Sequence, residues 1–446
     1  MNAEEIPHVN RMSIAIAEAH DIGLDESIER MKSVNLHLIA GDQIKHSSSM
    51  QAAFLTALNA GKRSFLGGVY CSLPEDVPNL LQINAGSFNE LATLYGGLPG
   101  DLLDYIGNFE ILFGLPAVRK NSLEVVMNGW QAGVNFYGSK RIKLSPKSNN
   151  VTLGGVAAAA LGLFHAFDAT FQLMDIPHNT STGFSLWDLN SEVWHKEKSE
   201  GPSKLNLPRQ FWSVGLGHLG QAYLWTLALL PFDGRSCLVS LQDFDIVEEE
   251  NIGAQVLSTE DHIGLPKARV CSTFLSNLGF KTQIIEKPFL LEDQKAEWSS
   301  DYKILLNGVD NISTRTSVLS DRFSLFLDGA TNGKLELFDS FTLRNFAKLS
   351  KKPEEVWKEK HQSENILHRK LFERVENEFG CGQLINKGIS TPFVGLFGAS
   401  LVVAELLRSL NKGLSYSSIS GQMRNLEALG AVSKGFYDKQ LLNLAL

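Results

Sequence analysis

The sequence predicts a two-part α/β protein built on doubly wound parallel sheets. Three observations carry that expectation: a length of 446 residues, a strand, glycine turn, helix and strand in succession from Phe211, and a similar plan in the first half. A single hydrophobic core stops growing at roughly 250–300 residues, so a chain of this length is expected to divide. The 43% hydrophobic and 20% charged composition supplies apolar surface for folded cores.

In the second half, residues 211–214 form an apolar strand running into Gly215, 218–230 read as an apolar helix, and 236–241 as a second strand leading to Asp243. That order opens a parallel sheet of the doubly wound kind. In the first half, 34–40 read as a strand, 49–60 as a helix and 64–71 as a second strand, and Gln51-Ala52 matches Gln221-Ala222 at the helix starts. Segments 154–167 and 395–407 are both helical, with Gly and Ala near their starts that permit close packing on a sheet. These correspondences point to an internal duplication.

Residues 194–208 mix Lys, Glu, Ser, Gly and Pro without apolar periodicity and read as an exposed connection, which sets the domains at 1–200 and 201–446. Residues 351–378 are densely charged and read as a solvated helix within a crossover over about 345–392.

The formal charge of −8 is spread along the chain, which argues against a nucleic-acid or anionic-membrane partner. The first ten residues, MNAEEIPHVN, carry acids where an export signal is basic. The most apolar run, 156–167, contains His165 and meets Asp168, falling short of the roughly 20 residues of a membrane span. The four cysteines lie far apart with no CxxC pair, so neither a disulfide framework nor a four-cysteine zinc site is indicated. A cytoplasmic protein with a small-molecule or protein partner is expected.

Gly215, Gly217 and Gly220 form G-L-G-H-L-G between a strand and a helix, where missing Cβ atoms let backbone amides approach a phosphate. Asp243, ending the next strand, is placed to reach ribose hydroxyls. Nicotinamide and ATP sites share both features. Lys267 discriminates, because a mobile cation suits the β/γ-phosphates of a nucleotide that loses pyrophosphate and has no use in hydride transfer.

The run D-F-D-I-V at 243–247, then Asn251 and Gln255, I-G-L-P-K-A at 263–268 and L-N-G-V-D-N-I-S-T-R at 306–315 resembles the E1/MoeB/ThiF adenylating enzymes over most of 209–411. The resemblance implies two Rossmann-like ThiF-type domains, the second an adenylation domain and the first a degenerate, inactive one, since AGDQIKHSSS replaces its glycine turn. It implies ATP and Mg²⁺, with Asp243 holding the ribose, Asp245 among the cofactor-binding residues, Asn251, Gln255 and Lys267 at the phosphates, Asp310 on Mg²⁺, and Asn311 and Arg315 following in the family's order. Taken alone, Asp310-Asn311 equally suits a helix N-cap. One departure stands out: Ala254 occupies the place of the family's arginine in S-N-L-x-R-Q. Related enzymes take an arginine from the other half of a pseudo-twofold pair, and Arg11 is the candidate here, its alternative being an exposed surface charge.

Cys381, in G-C-G-Q-L-I-N-K-G between the charged excursion and the Gly/Ala helix, is the candidate nucleophile for a thioester, whereas Cys71, Cys237 and Cys271 read as core residues. His218, inside the glycine loop, either touches a phosphate or faces solvent. The two-half layout resembles E1-like proteins of bacterial ubiquitin-like (Bil-type) conjugation systems, which serve antiviral defence. That likeness implies a ubiquitin-like protein and an E2-like partner and leaves a homodimer open. Three alternatives remain: a sulfur-carrier adenylyltransferase; a pseudoenzyme scaffold, favoured by Ala254; and a nicotinamide oxidoreductase, which leaves Lys267 and Asp310 unexplained.

Overall fold

The structure is a computed structural model, and it describes residues 10–102, 108–144, 151–232, 236–349, 351–357, 388–436 and 439–445. Among these residues the strands make two sheets. The first holds β1 (Leu36–Ala40), β2 (Val69–Ser72), β3 (Leu98–Pro99), β4 (Phe109–Phe113), β5 (Ser122–Asn128), β6 (Gln131–Phe136) and β7 (Thr182–Ser185) in the order β3-β2-β1-β4-β5-β6-β7. The second holds β8 (Gln210–Val214), β9 (Leu238–Gln242), β10 (Lys281–Ile285), β11 (Ile304–Asn307), β12 (Leu325–Thr331), β13 (Ser340–Asn345), β14 (Leu414–Gln422) and β15 (Asn425–Phe436) in the order β10-β9-β8-β11-β12-β13-β14-β15. In each sheet the first five strands in that order are parallel and the rest antiparallel. Strand order reverses between β1 and β4 and between β8 and β11, which opens a crevice at the carboxyl ends of those strands.

The repeated plan extends to side chains. In the first half Gln51 donates to the Ile44 carbonyl (3.0 Å) and accepts from the Leu80 amide (2.9 Å). Gln221 does the same with Leu216 O (3.1 Å) and the Leu257 amide (2.9 Å). Each glutamine ties the turn before its helix to the loop after the next strand.

Two long apolar helices, Leu153–Phe171 and Pro392–Leu410, lie on their sheets and against each other, with Phe167 and Phe393 rings 5.5 Å apart. Their small residues serve close approach to the sheet at Gly162, where a Cβ would lie 2.6 Å from Val125 Cγ1, and to neighbouring helices elsewhere. A Cβ on Gly155 would lie 2.1 Å from Ser49 O, and one on Gly395 2.1 Å from the His218 ring. Both helices have the length and apolarity to cross a membrane, and both are packed inside the protein. One contiguous core runs through the two halves, and a second cluster around Trp212, Phe289 and Phe326 covers the other face of the second sheet.

Two expectations change. The helix at 153–171 continues past the polar interruptions at His165 and Asp168, because Asp168 is satisfied internally by the Met174 amide (2.9 Å) and His178 (3.2 Å). The 194–208 connection is not exposed throughout: Trp194 is buried over Gly133 and Gly183, where a Cβ would lie within 2.6 Å of its ring. Gln131 clasps the Trp194 and Lys196 carbonyls (2.7 and 3.0 Å), so apolar burial straps the connection to the first sheet. Of the charged excursion, only 351–357 is among the described residues.

Candidate nucleotide-binding site

A cleft of about 440 Å³ opens where β8, β9 and β11 end. Gly215, Gly217, Asp243, Asp245, Asn251, Gln255, Lys267, Asp310, Asn311 and Arg315 all line it, as do Ala254 and Arg11.

The three glycines do different work. Gly215 sits at φ +77°, in the left-handed region, and a Cβ there would lie 2.6 Å from the Val309 amide nitrogen. Gly220 stands behind the cleft, where a Cβ would meet Gly215 O at 1.9 Å, so it lets the His218–Ala228 helix close on the turn. Only Gly217 has open space, its nearest neighbour to a Cβ being Gln255 Nε2 at 4.0 Å. No side chain caps that helix, which leaves its first amides for an anion or water.

The Asp243 carboxylate accepts from the Leu216 amide (2.5 Å) and the Asp245 amide (2.9 Å), locking the glycine turn to the end of β9. Burial holds its pKa above the usual carboxylate range. Lys267 opens the Lys267–Asn277 helix; its amide donates to Asp245 O (2.9 Å) and its ammonium to Asp245 Oδ2 (3.1 Å), with 8% of the residue exposed. Gln255 accepts from Gln221 Nε2 (2.8 Å), and Asn251 Oδ1 accepts from the Glu248 amide (3.0 Å).

Asp310 is exposed on the loop after β11, and the cap belongs to its neighbour: Asn311 Oδ1 accepts from Ser313 N (2.8 Å) and Ser313 Oγ (2.6 Å). Arg315 is buried, donating to Val309 O (2.8 Å) and Gly329 O (3.1 Å), pairing with Asp328 (3.4 Å) and stacking on Trp357 (4.5 Å to the ring centroid). Its guanidinium braces the cleft wall.

Arg11 opens the Arg11–His20 helix of the first half and reaches the cleft, where it pairs with Glu250 (3.2 Å). Sequence reasoning missed Lys287 and Phe289, which also line the cleft. Their one legible signal is position just past β10, at the carboxyl edge of the parallel strands. The Lys287 ammonium pairs with buried Asp293, so Lys267, Arg11 and Lys287 each rest on a carboxylate that an incoming anion would have to displace.

His218 lines the cleft, but both of its ring nitrogens are taken by residues 390 and 391, which leaves neither free for a phosphate. Its Nε2–H donates to Thr391 O (2.8 Å) and Nδ1 accepts from Ser390 Oγ (3.0 Å), the tautomer this pairing requires. Burial pulls its pKa down to about 4 from the ordinary 6.5. Unfolded, the ring takes up a proton below pH 6.5; folded, it does not until about pH 4. Stability present above pH 6.5 is therefore lost as pH falls toward 4, by up to about 1.4 kcal/mol per pH unit from this group. Urea midpoints at pH 7.5, 6 and 5 are expected to fall more steeply for the wild type than for His218→Asn. Equal slopes would show that the ring carries no such linkage.

Cys381 lies outside the described residues. Cys237 and Cys271 are buried core thiols, and burial pushes Cys237 up to about 12 and Cys271 higher. Half-buried Cys71 is likewise pushed up to about 12. None of these three is activated as a nucleophile.

A doubly wound sheet with this glycine turn, strand-end carboxylates and cleft lysine defines the E1/MoeB/ThiF superfamily of adenylating enzymes, and the chain belongs to it. More particularly, residues 35–186 match the BilD N-terminal domain and residues 207–413 the BilD C-terminal domain. The chain is 28% identical over 424 residues to the bacterial E1-like protein BilD of Collimonas sp. (strain OK412), covering 90% of this chain and 88% of that one. Shorter stretches are similar to the adenylyltransferase and sulfurtransferase MOCS3 of Aedes aegypti, 30% identical over 135 residues and 30% of each chain. The NEDD8-activating enzyme E1 catalytic subunit of Caenorhabditis elegans is 28% identical over 102 residues, 23% of each chain.

Proposed function

We propose that this protein is an E1-like activating enzyme that adenylates the C-terminal carboxylate of a ubiquitin-like protein with ATP. It then captures the acyl group as a thioester on Cys381 for transfer to an E2-like partner. One observation carries the reading: Lys267 and Asp310 face the same cleft as Gly215 and Gly217.

A carboxylate is a poor electrophile, because its oxide leaves badly and its charge repels nucleophiles. Attack of a carboxylate oxygen on the ATP α-phosphorus forms the acyl-adenylate and breaks the bond to pyrophosphate. Asn251, Gln255 and the amides beyond Gly217 hold the phosphates, while Lys267, released from Asp245, takes charge from the β/γ end. Arg11 supplies from the first half the charge that Ala254 lacks. Asp243, with Asp245 beside it, attends the ribose, and Asn311 and Arg315 hold the loop that carries Asp310.

Asp310 suits Mg²⁺. Its exposed carboxylate lines the cleft, and one carboxylate together with substrate phosphates would suffice to hold such an ion. Bound there, Mg²⁺ would offset phosphate charge. The Cys381 thiolate then attacks the acyl carbon and AMP leaves. The first half, 1–200, acts as an inactive partner domain to 201–446. A cytoplasmic role in antiviral defence is part of the same proposal, as the resemblance to Bil-type systems read from the sequence implies.

The scaffold reading keeps one observation in its favour, the missing charge at Ala254. The test is incubation with ATP, Mg²⁺ and the ubiquitin-like partner. A thiol-sensitive adduct is expected, lost in Cys381→Ala while ATP–pyrophosphate exchange persists. Absence of exchange in the wild type would leave the scaffold. Exchange with a sulfurated product in place of a thioester would favour sulfur transfer.

A further inference from the structure

Arg63 lies in the last turn of the first-half helix Ser48–Ser64 and is 5% exposed. Its guanidinium donates to Asn59 O (3.2 Å), Val256 O (3.2 Å), Asn59 Oδ1 (3.4 Å) and Ile252 O. Every one of these acceptors is neutral, and among the described residues no carboxylate pairs with it. Burial lowers its pKa to about 10, so the group stays charged at neutral pH.

A buried ion without a counter-charge is strongly unfavourable, and the dipole of one helix end offsets only part of it. The charge therefore calls for a partner that arrives later. Its location says which one. The Ile252 and Val256 carbonyls bracket Gly253, Ala254 and Gln255, and both Ala254 and Gln255 line the cleft. Asn59 reinforces the grip on Val256 O (2.9 Å), and Asn10, next to Arg11, donates to Arg63 O (2.9 Å).

We propose that Arg63 is a positioning residue of the nucleotide site. It pins the 252–256 turn from the first half and, from behind that turn, supplies positive potential at the place where Ala254 has no charge, with a bound polyphosphate as its counter-charge. The inference rests on the cleft being a triphosphate site. A charge this deep is poorly screened, so its field reaches the cleft.

Calorimetric titration of the full chain with Mg-ATP and, separately, with adenosine tests it. Arg63→Met is expected to weaken Mg-ATP about tenfold while adenosine changes less than about twofold, because only the phosphates sense the charge. Arg63→Lys is expected to recover most of the loss, and adding Ala254→Arg to Arg63→Met to restore it. Equal loss for both ligands, or none for Mg-ATP, would overturn the proposal. So would failure of Ala254→Arg to restore Mg-ATP binding, since a brace of the Gln255 turn without a charge at the phosphates would not be rescued by a new cation. If Arg63→Met does not fold, Arg63→Lys decides: it keeps the charge and loses the fork, so a retained preference for Mg-ATP over adenosine supports the role and a lost one refutes it. A wild type that binds neither ligand would sink the nucleotide reading itself.

Discussion

Lys267→Ala is expected to lower ATP–pyrophosphate exchange driven by the ubiquitin-like protein by roughly 10²–10³-fold, the usual effect of deleting one preorganised donor from a site where charge develops. The ammonium is held at the cleft wall by a half-exposed carboxylate, Asp245, and sits at the start of a helix anchored by its own backbone. Little reorganisation is needed for it to turn to a phosphate. The same exposure of Asp245 makes the resting ion pair weak, so the melting temperature is expected to stay within a degree or two of wild type. Retained exchange in this variant would remove Lys267 from the chemistry. A collapsed melting temperature would make the residue structural.

The largest stability effect is expected far from the cleft. Glu405 and Arg408, one turn apart on Pro392–Leu410, are both fully buried and pair at 2.6 Å. Glu405 also accepts from Asn345 Nδ2 (3.1 Å), Ser415 Oγ (2.6 Å) and the Tyr416 amide (3.1 Å). Arg408 stacks on Tyr416 (4.8 Å to the centroid) and donates to Leu186 O, just past β7. Removing one partner strands the other charge in a dry core, so Glu405→Ala or Arg408→Met should each lose about 3–5 kcal/mol in urea unfolding. Replacing both by Glu405→Leu and Arg408→Met should lose less than the sum, because the stranded charge is gone. Strict additivity would show that the two act independently.

Much of the site was legible because its signals are local. A glycine turn between a strand and a helix, and carboxylates at strand ends, are read from a few neighbouring residues. Gly215, Gly217, Asp243, Lys267 and Asp310 come together at the cleft as their order along the chain implies, with Gly220 packed behind them. The duplicated plan was legible for the same reason, and the shared strand order extends it. The roles of Arg315 and His218 were not legible. Whether a guanidinium meets a phosphate or the carbonyls of Val309 and Gly329 depends on how β11 and β12 pack, and the His218 ring is claimed by residues 390 and 391.

By itself, then, the order of residues determined the helices, the strands, the glycine turn and the succession of polar groups that a nucleotide would meet. Only the tertiary structure decided that Arg11 arrives beside Glu250, 239 positions away, and that Arg63 lies beneath Ile252, 189 away. Periodicity and turn chemistry act over a few residues. Contacts at such separations exist only once two apolar helices, Leu153–Phe171 and Pro392–Leu410, have packed the halves together, and no local pattern encodes which side chains that packing brings face to face.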